Sequence, residues 1–496
     1  MRGRLARIAG IAALLVGVAA AGACDSERPN IVLFTGDDHS KLDAGCYGNP
    51  TIRTPTLDSL AANGLVFDNF FTVTAICCPS RAALMTGQYP FTNGCFGMTA
   101  CDDGIRPLTA ILADAGYHCG LVGKRHLAPW DAFRFEYAPA DPKGEKMGRD
   151  VTTYTDDVRG FFDHLKTESK PGPFFLMVNF HDPHRVFPTP DEVPQPADRA
   201  TVVIPPTLPD LPDVREEVGR YTDAVQRMDG GIRLCLAALR QSGLADNTIV
   251  IYLSDHGAGF PFAKSTLYDA GTNIPMIMSW PGRIGAGRRT SALASVVDFA
   301  PTILEVVGIP IPESMQGESF ATVLAGKSDR HRDAVYGSQT DDFVPPSYPI
   351  RSARTERFAY LFNVHPDRRM GNNTLGGLTW AAMVKAAESD TALARRVDRY
   401  EHRPPEEMYD VASDPFELRN LAADPACAAD LAAMRALLVA HMVAAKDPFV
   451  ALLPFASDGQ RAAARAAHDA YLAYDADRTK NFFTRPRGQG RGDAND

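Results

Sequence analysis

The sequence predicts an α/β fold, a mixed, mostly parallel sheet sandwiched by helices, with a smaller C-terminal α+β subdomain. Three observations carry that expectation. Apolar, β-rich runs alternate with helical patterns, polar and ionisable residues gather just after the apolar runs, and beyond about residue 330 the pattern shortens to closely spaced extended pieces. In chain order the expected strands are residues 30–34, 65–71, 118–122, 174–180 and 249–253, runs of Val, Ile, Leu and Phe too short for core helices. Helices are expected at 80–86, 108–115, 154–166 and 214–241, the last amphipathic along its length. Residues 334–338, 348–353 and 358–362 read as the extended pieces of the subdomain, with a helix at 428–445. Residues 371–405 carry little strand signal and read as inserted helices or loops. The tail from 456 to 496 is Ala-rich, then Arg- and Gly-rich, which predicts a helix followed by a disordered end. The expected divisions are a leader over 1–23, a large domain over 28–345, a subdomain with a small antiparallel sheet over 346–455, and the tail.

The chain has 496 residues with 45% apolar and 22% charged side chains, which excludes a small stapled scaffold and wholesale disorder. Its net charge of −9 is the opposite of a nucleic-acid binder's footprint, so an anionic substrate would have to be met by a few placed cations. Arg2, Arg4 and Arg7, the apolar stretch 8–18 and the small residues Ala21-Gly22-Ala23 read as an export signal, too short to span a bilayer. Cys24 follows them as in a bacterial lipobox, so the expected location is periplasmic or lipid-anchored to the bacterial envelope. Nine cysteines are too few for a disulfide framework, and no CxxC pair suggests zinc. Cys95 and Cys101 are close enough to pair, Cys46, Cys119, Cys235 and Cys427 read as small buried hydrophobes, and the adjacent Cys77-Cys78 is left over.

Pro79 fits the first turn of a helix, which puts Cys77 at a helix N-terminus where free amides favour an anion, with Arg81 about one turn on. Asp37 and Asp38 follow one apolar strand, and Asp255 and His256 follow another. Carboxylates gathered at neighbouring strand ends repel one another unless a hard cation binds them. Lys124 and His126 occupy alternate positions of an extended run and so face the same way. His181 ends a further strand, and Lys264 lies a short loop beyond Asp255. Ligands in open α/β sheets bind beyond the carboxyl ends of strands, so these segments should converge.

The string Cys77-Cys78-Pro79-Ser80-Arg81 to Thr86-Gly87 resembles the signature of the type I sulfatases, and so do the segments at Lys124 to His126, His181 to Pro183 and Lys264 to Gly271. The resemblance implies an alkaline-phosphatase-like fold and oxidation of Cys77 to formylglycine by a maturation enzyme. It also implies one divalent metal at Asp37, Asp38, Asp255, His256 and residue 77. That metal is usually calcium, with Mg²⁺ or Mn²⁺ left open by a histidine where the family generally has Asn. By the same resemblance Arg81, Lys124 and Lys264 clamp the sulfate, His126 handles the nucleophile's proton, and His181, rather than His184, is the general acid. Phe180 to Arg185, Leu267-Tyr268, Tyr336 to Gln339 and Ser347 to Ser352 are similar to the heparan sulfamidases, which implies N-sulfoglucosamine of heparan or heparin fragments as substrate. Lys264 in place of their Arg, His256 in place of their Asn, and two acidic residues after Thr340 depart from that branch. O-sulfatase action on another glycan, phosphonate or phosphate monoesterase action, and a non-catalytic glycan-binding lipoprotein remain the alternatives. No nucleic-acid partner is expected, and a membrane is expected only through lipid at Cys24.

Overall fold

The computed structural model describes residues 28–139, 150–168, 172–341 and 346–484. The leader, Cys24 and the end of the tail lie outside them. The first nine strands are β1 (Asn30–Gly36), β2 (Leu65–Phe67), β3 (Phe70–Phe71), β4 (His118–Gly123), β5 (Phe174–Asn179), β6 (Thr248–Ser254), β7 (Met276–Ser279), β8 (Arg288–Thr290) and β9 (Ala294–Ser295). Seven of them form one sheet in the order β4-β5-β1-β6-β7-β2-β8, in which β7 alone runs against its neighbours. A β3–β9 ribbon stands apart. The expected strand at 65–71 is divided at Asp68-Asn69, a turn-forming pair that sends β2 into the main sheet and β3 into the ribbon.

The central strands are apolar throughout because both faces are covered. Along β1, Val32 and Phe34 enter one core with the long helix Pro212–Gln241, while Ile31 and Leu33 enter the other with the helices Cys77–Thr86 and Phe299–Val306. This two-residue period splits one strand between two hydrophobic layers. Strands β4, β5, β1 and β6 are parallel neighbours, so the residues after Gly123, Asn179, Gly36 and Ser254 emerge side by side at one edge.

The remaining strands, β10 (Val335–Gln339), β11 (Ile350–Arg354), β12 (Phe358–Asn363) and β13 (Glu406–Asp410), form an antiparallel sheet. Its first strand comes before residue 345, so the sheet crosses the expected 345/346 division. The reason is the hairpin-like pairing of β10 with β11, in which Val335 stands opposite Arg354. One face, with Tyr360, Phe362 and Met408, packs against Leu431, Leu438 and Met442 of helix Ala428–Ala444 and Tyr471 of helix Asp458–Thr484. The other face, with Ile350, Leu361 and Tyr409, joins the large domain's core. Residues 371–405 form the helices Leu378–Ala387 and Thr391–Glu401.

Candidate active site

Four adjacent strand ends deliver the site. Asp37 and Asp38 follow β1, Lys124 and His126 follow β4, His181 and His184 follow β5, and Asp255 and His256 follow β6. Backbone bonds stitch these ends together: the amide of Asp37 to the Asp182 carbonyl (3.1 Å), Lys124 to Asn179 (3.0 Å) and Asp255 to Gly36 (3.2 Å). Glycine is required after His256, since a Cβ at Gly257 would stand 1.8 Å from the Ala270 carbonyl oxygen. Asp38, His126 and Ser265 adopt left-handed backbone (φ 69°, 41° and 63°), conformations that cost energy in L-residues and recur where a site dictates them.

Cys77 opens the fully buried helix Cys77–Thr86. Its Sγ lies 3.7 Å from Asp37 Oδ1, 3.4 Å from His256 Nε2 and 4.0 Å from Lys264 Nζ. Lys124 pairs with Asp37, and Lys264 Nζ donates to Asp38 at 2.8 and 3.0 Å. Arg81 donates to Asp255 at 2.9 and 3.1 Å, while its Nη1 is buried with no protein partner. Burial raises the Asp37 carboxyl's pKa, but Lys124, His184, Arg81 and Lys264 outweigh it and hold the group well below the usual carboxylate range. The lysines are pushed up in turn, because Asp37 and Asp38 outweigh the burial that alone would lower them. His126 goes the other way: burial first, then Lys124, holds its imidazole well below the usual value and therefore neutral.

Two overlapping donor groups are close enough to share an ion. Asp37, Cys77, Asp255 and His256 form one and Asp37, Asp38, Cys77 and His184 the other, with ligand atoms within 4.8 Å of each other in each. The donor chemistry fits a divalent cation. His256 Nδ1 donates to the Gly257 carbonyl at 3.0 Å, and Nε2 faces the carboxylates, 3.4 Å from Asp38 Oδ1, where a cation would take its lone pair in place of a proton.

His181 is placed by Tyr154. The Tyr154 hydroxyl accepts from the His181 amide (3.0 Å) and is hydrogen-bonded to Nδ1 (2.7 Å), which fixes one edge of the ring. The sequence reading passed over His184, which a turn closed by its own amide to the His181 carbonyl (3.0 Å) brings to Asp37, Asp38 and Cys77. The Asp182-Pro183 pair between the two histidines is the signal for that turn. His39, unassigned from sequence, is structural: it bonds Tyr252 (2.5 Å) and the Asp43 carbonyl (2.8 Å). Cys95 and Cys101 are buried and unbridged, and the Cys95 thiol donates to the Thr99 carbonyl (3.0 Å). Cys119 and Cys235 are buried as expected, whereas Cys46 and Cys427 are only partly buried.

A family model described as Sulfatase matches residues 29–309, and one described as N-sulphoglucosamine sulphohydrolase, C-terminal, matches residues 256–365. Human N-sulphoglucosamine sulphohydrolase is 32% identical over 470 residues, covering 86% of this chain and 93% of the relative. An ulvan-active sulfatase of Formosa agariphila is 31% identical over 408 residues, covering 81% and 77%. The solved structure of BT4656 in complex with its substrate D-glucosamine-2-N,6-O-disulfate superposes with a TM-score of 0.66 at 21% identity, over 85% of this chain and 99% of that one.

Proposed function

This chain belongs to the sulfatase family and is a sulfatase, and from that premise we propose that it is an exported sulfohydrolase acting on N-sulfoglucosamine of heparan or heparin fragments. The observation that carries the chemistry is the cationic ring around residue 77: Arg81, Lys124 and Lys264, all buried, at the N-terminus of the helix that Cys77 opens. An acidic protein bearing such a ring is built to hold one small anion. The N-sulfate assignment is supported by the C-terminal match over residues 256–365 and by the human relative's name.

Cys77, once a maturation enzyme has converted it to formylglycine, supplies the nucleophile as an aldehyde hydrate. Asp37, Asp38, Asp255, His256 and residue 77 would hold a divalent cation, Ca²⁺ first and Mg²⁺ or Mn²⁺ as alternatives, and that cation supplies charge to polarise the sulfate. Lys124, Lys264 and Arg81 offset the sulfate's charge where water is excluded, so each contact counts for more than it would in solution. Neutral His126 accepts the nucleophile's proton. His181, as the imidazolium, gives a proton to the departing nitrogen as one hydrate oxygen of residue 77 bonds to sulfur; the second hydroxyl, losing its proton to His126, then re-forms the aldehyde and expels sulfate, and water restores the hydrate.

A second reading, O-sulfatase, draws on His256 and Lys264 standing where sulfamidases carry Asn and Arg. The third departure weighs less. Asp341 is turned away toward the C-terminal helix, where Ser347, Tyr471 (3.2 Å) and Tyr474 (3.1 Å) donate to it, and Asp342 lies outside the described residues. Glucosamine bearing sulfate on nitrogen alone or on O6 alone separates the readings: the N-sulfate should turn over at least tenfold faster, and activity confined to the O-sulfate would remove the first. Export rests on the leader and predicts recovery in the periplasm, or in the membrane fraction with release by Cys24→Ser.

A further inference from the structure

Helix Thr391–Glu401 presents three arginines to one small cavity. Arg395 and Arg399 stand one turn apart on the same face with Arg396 beside them. Together with Thr207, Phe262 and Leu418 they line a space of about 210 Å³. Among the described residues none of the three makes an ion pair. Arg399 donates to the carbonyls of Glu417 and Leu418 (2.7 Å each), and its Nε is buried without a partner. Arg396 reaches the Thr207 carbonyl at 3.4 Å, and Arg395 is exposed with no hydrogen bond. The neighbouring carboxylates are engaged elsewhere: Asp398 with His402 (2.9 Å), and Glu417 with Arg354 (3.0 Å) and the Asp269 amide (2.7 Å). Burial and the charge of Arg399 lower the pKa of Arg396, the electrostatic cost of crowding like charges that an anion would offset. Burial would lower the pKa of Arg399, but Tyr268, Tyr409 and Glu407 outweigh it and hold it up, which leaves Arg395 and Arg396 as the two cations the cleft offers without an ion pair among the described residues.

We propose that this cleft is a second anion site, which takes a sulfate or carboxylate group of the glycan whose terminal sulfate lies at Cys77. The identity of the glycan rests on the function proposed above, whereas the anion site stands on its own residues. The two sites are joined by one short stretch of chain. Phe262 lies under Arg399, 5.7 Å from its guanidinium carbon, and Lys264, two residues on, reaches Asp38 and Cys77. Two residues span at most about 7 Å of chain, so one short segment serves both places. Arginine is also the side chain for the task, because its planar fork matches sulfate and carboxylate oxygens two at a time. A ligand anchored at both ends gains affinity from the second contact without any change at the first, so oligosaccharides should be favoured over monosaccharides.

The test uses Arg395→Ala/Arg396→Ala and leaves Arg399, which holds two carbonyls of the adjoining loop. In a Cys77→Ala background, which binds without turnover, a heparin-derived tetrasaccharide should lose about tenfold in affinity with a shallower salt dependence, at an unchanged Tm. In active enzyme the ratio of kcat/KM for tetrasaccharide to that for glucosamine N-sulfate should fall by about tenfold. An unchanged Kd and ratio, or no binding of the tetrasaccharide to the parent, would overturn the proposal. Affinity lost with the arginines in a protein that turns over no N-sulfated sugar would uphold the cleft and retire the N-sulfate reading.

Discussion

Residue 181 shows how single side chains divide the chemistry. Tyr154 fixes the orientation of the His181 ring, whereas burial and Lys124 keep His126 neutral. In the proposed reaction the first imidazole gives a proton and the second takes one. His181→Asn should lower kcat on glucosamine N-sulfate by about 10² to 10⁴, with a much smaller loss on an aryl sulfate, whose departing oxygen needs no proton. Equal losses on both substrates would contradict the assignment. The metal makes a prediction of the same scale. Chelation should abolish turnover and lower Tm, and restoring Ca²⁺ at 100 times its Kd should return about 2.7 kcal/mol of stability; an unmoved Tm would contradict a resident ion. These residues were legible in the sequence because their spacing and chain order match the motifs of the sulfatases. His184 was not, since a histidine pair around Asp-Pro gives no sign of which ring turns inward.

At the scale of elements, legibility followed length and burial. The central strands β1, β4, β5 and β6 are six or seven residues long, are buried almost throughout and are built around apolar runs, so they could be read directly. Strands β7, β8 and β13, four, three and five residues long, are set by pairing rather than by local pattern, and no expectation covered them. Strand β13 also carries Glu407, a fully buried carboxylate paired with buried Arg403 (2.6 Å) and bonded to Tyr268 (2.7 Å), Tyr409 (2.5 Å) and Asn363 (2.8 Å). This network ties the inserted helices, the antiparallel sheet and the loop after Lys264 into one piece. Removing one member strands a charge, so Arg403→Leu should destabilise the protein by about 3–5 kcal/mol, measured by chemical denaturation. A loss below 1 kcal/mol would show that the pair is dispensable.

For the whole molecule, two hydrophobic layers around one sheet leave a single edge free for chemistry, and that edge was predictable from the polar residues after each strand even though strand order was not. The same depth of burial shapes stability against pH. Asp43, half-buried beside Tyr221, has its carboxyl pushed up to about 7, since desolvation outweighs the Tyr221 hydroxyl that lowers it. Between about pH 4 and 7 the folded state keeps a proton that the unfolded chain has released, so this group's contribution falls as pH rises through that window and levels off above it. Asp43→Asn should flatten that part of the stability profile, and an unchanged slope would contradict the burial argument.

The central claim is that residue 77, as formylglycine within its cationic ring, removes sulfate from nitrogen. The most direct measurement is amine and sulfate release from glucosamine N-sulfate by protein whose Cys77 peptide has been shown by mass to carry the aldehyde, with Cys77→Ala alongside. Equimolar amine and sulfate are expected from the modified protein, and at least about 10⁴-fold less from the variant. No release from verified aldehyde protein, or equal release from Cys77→Ala, would contradict it.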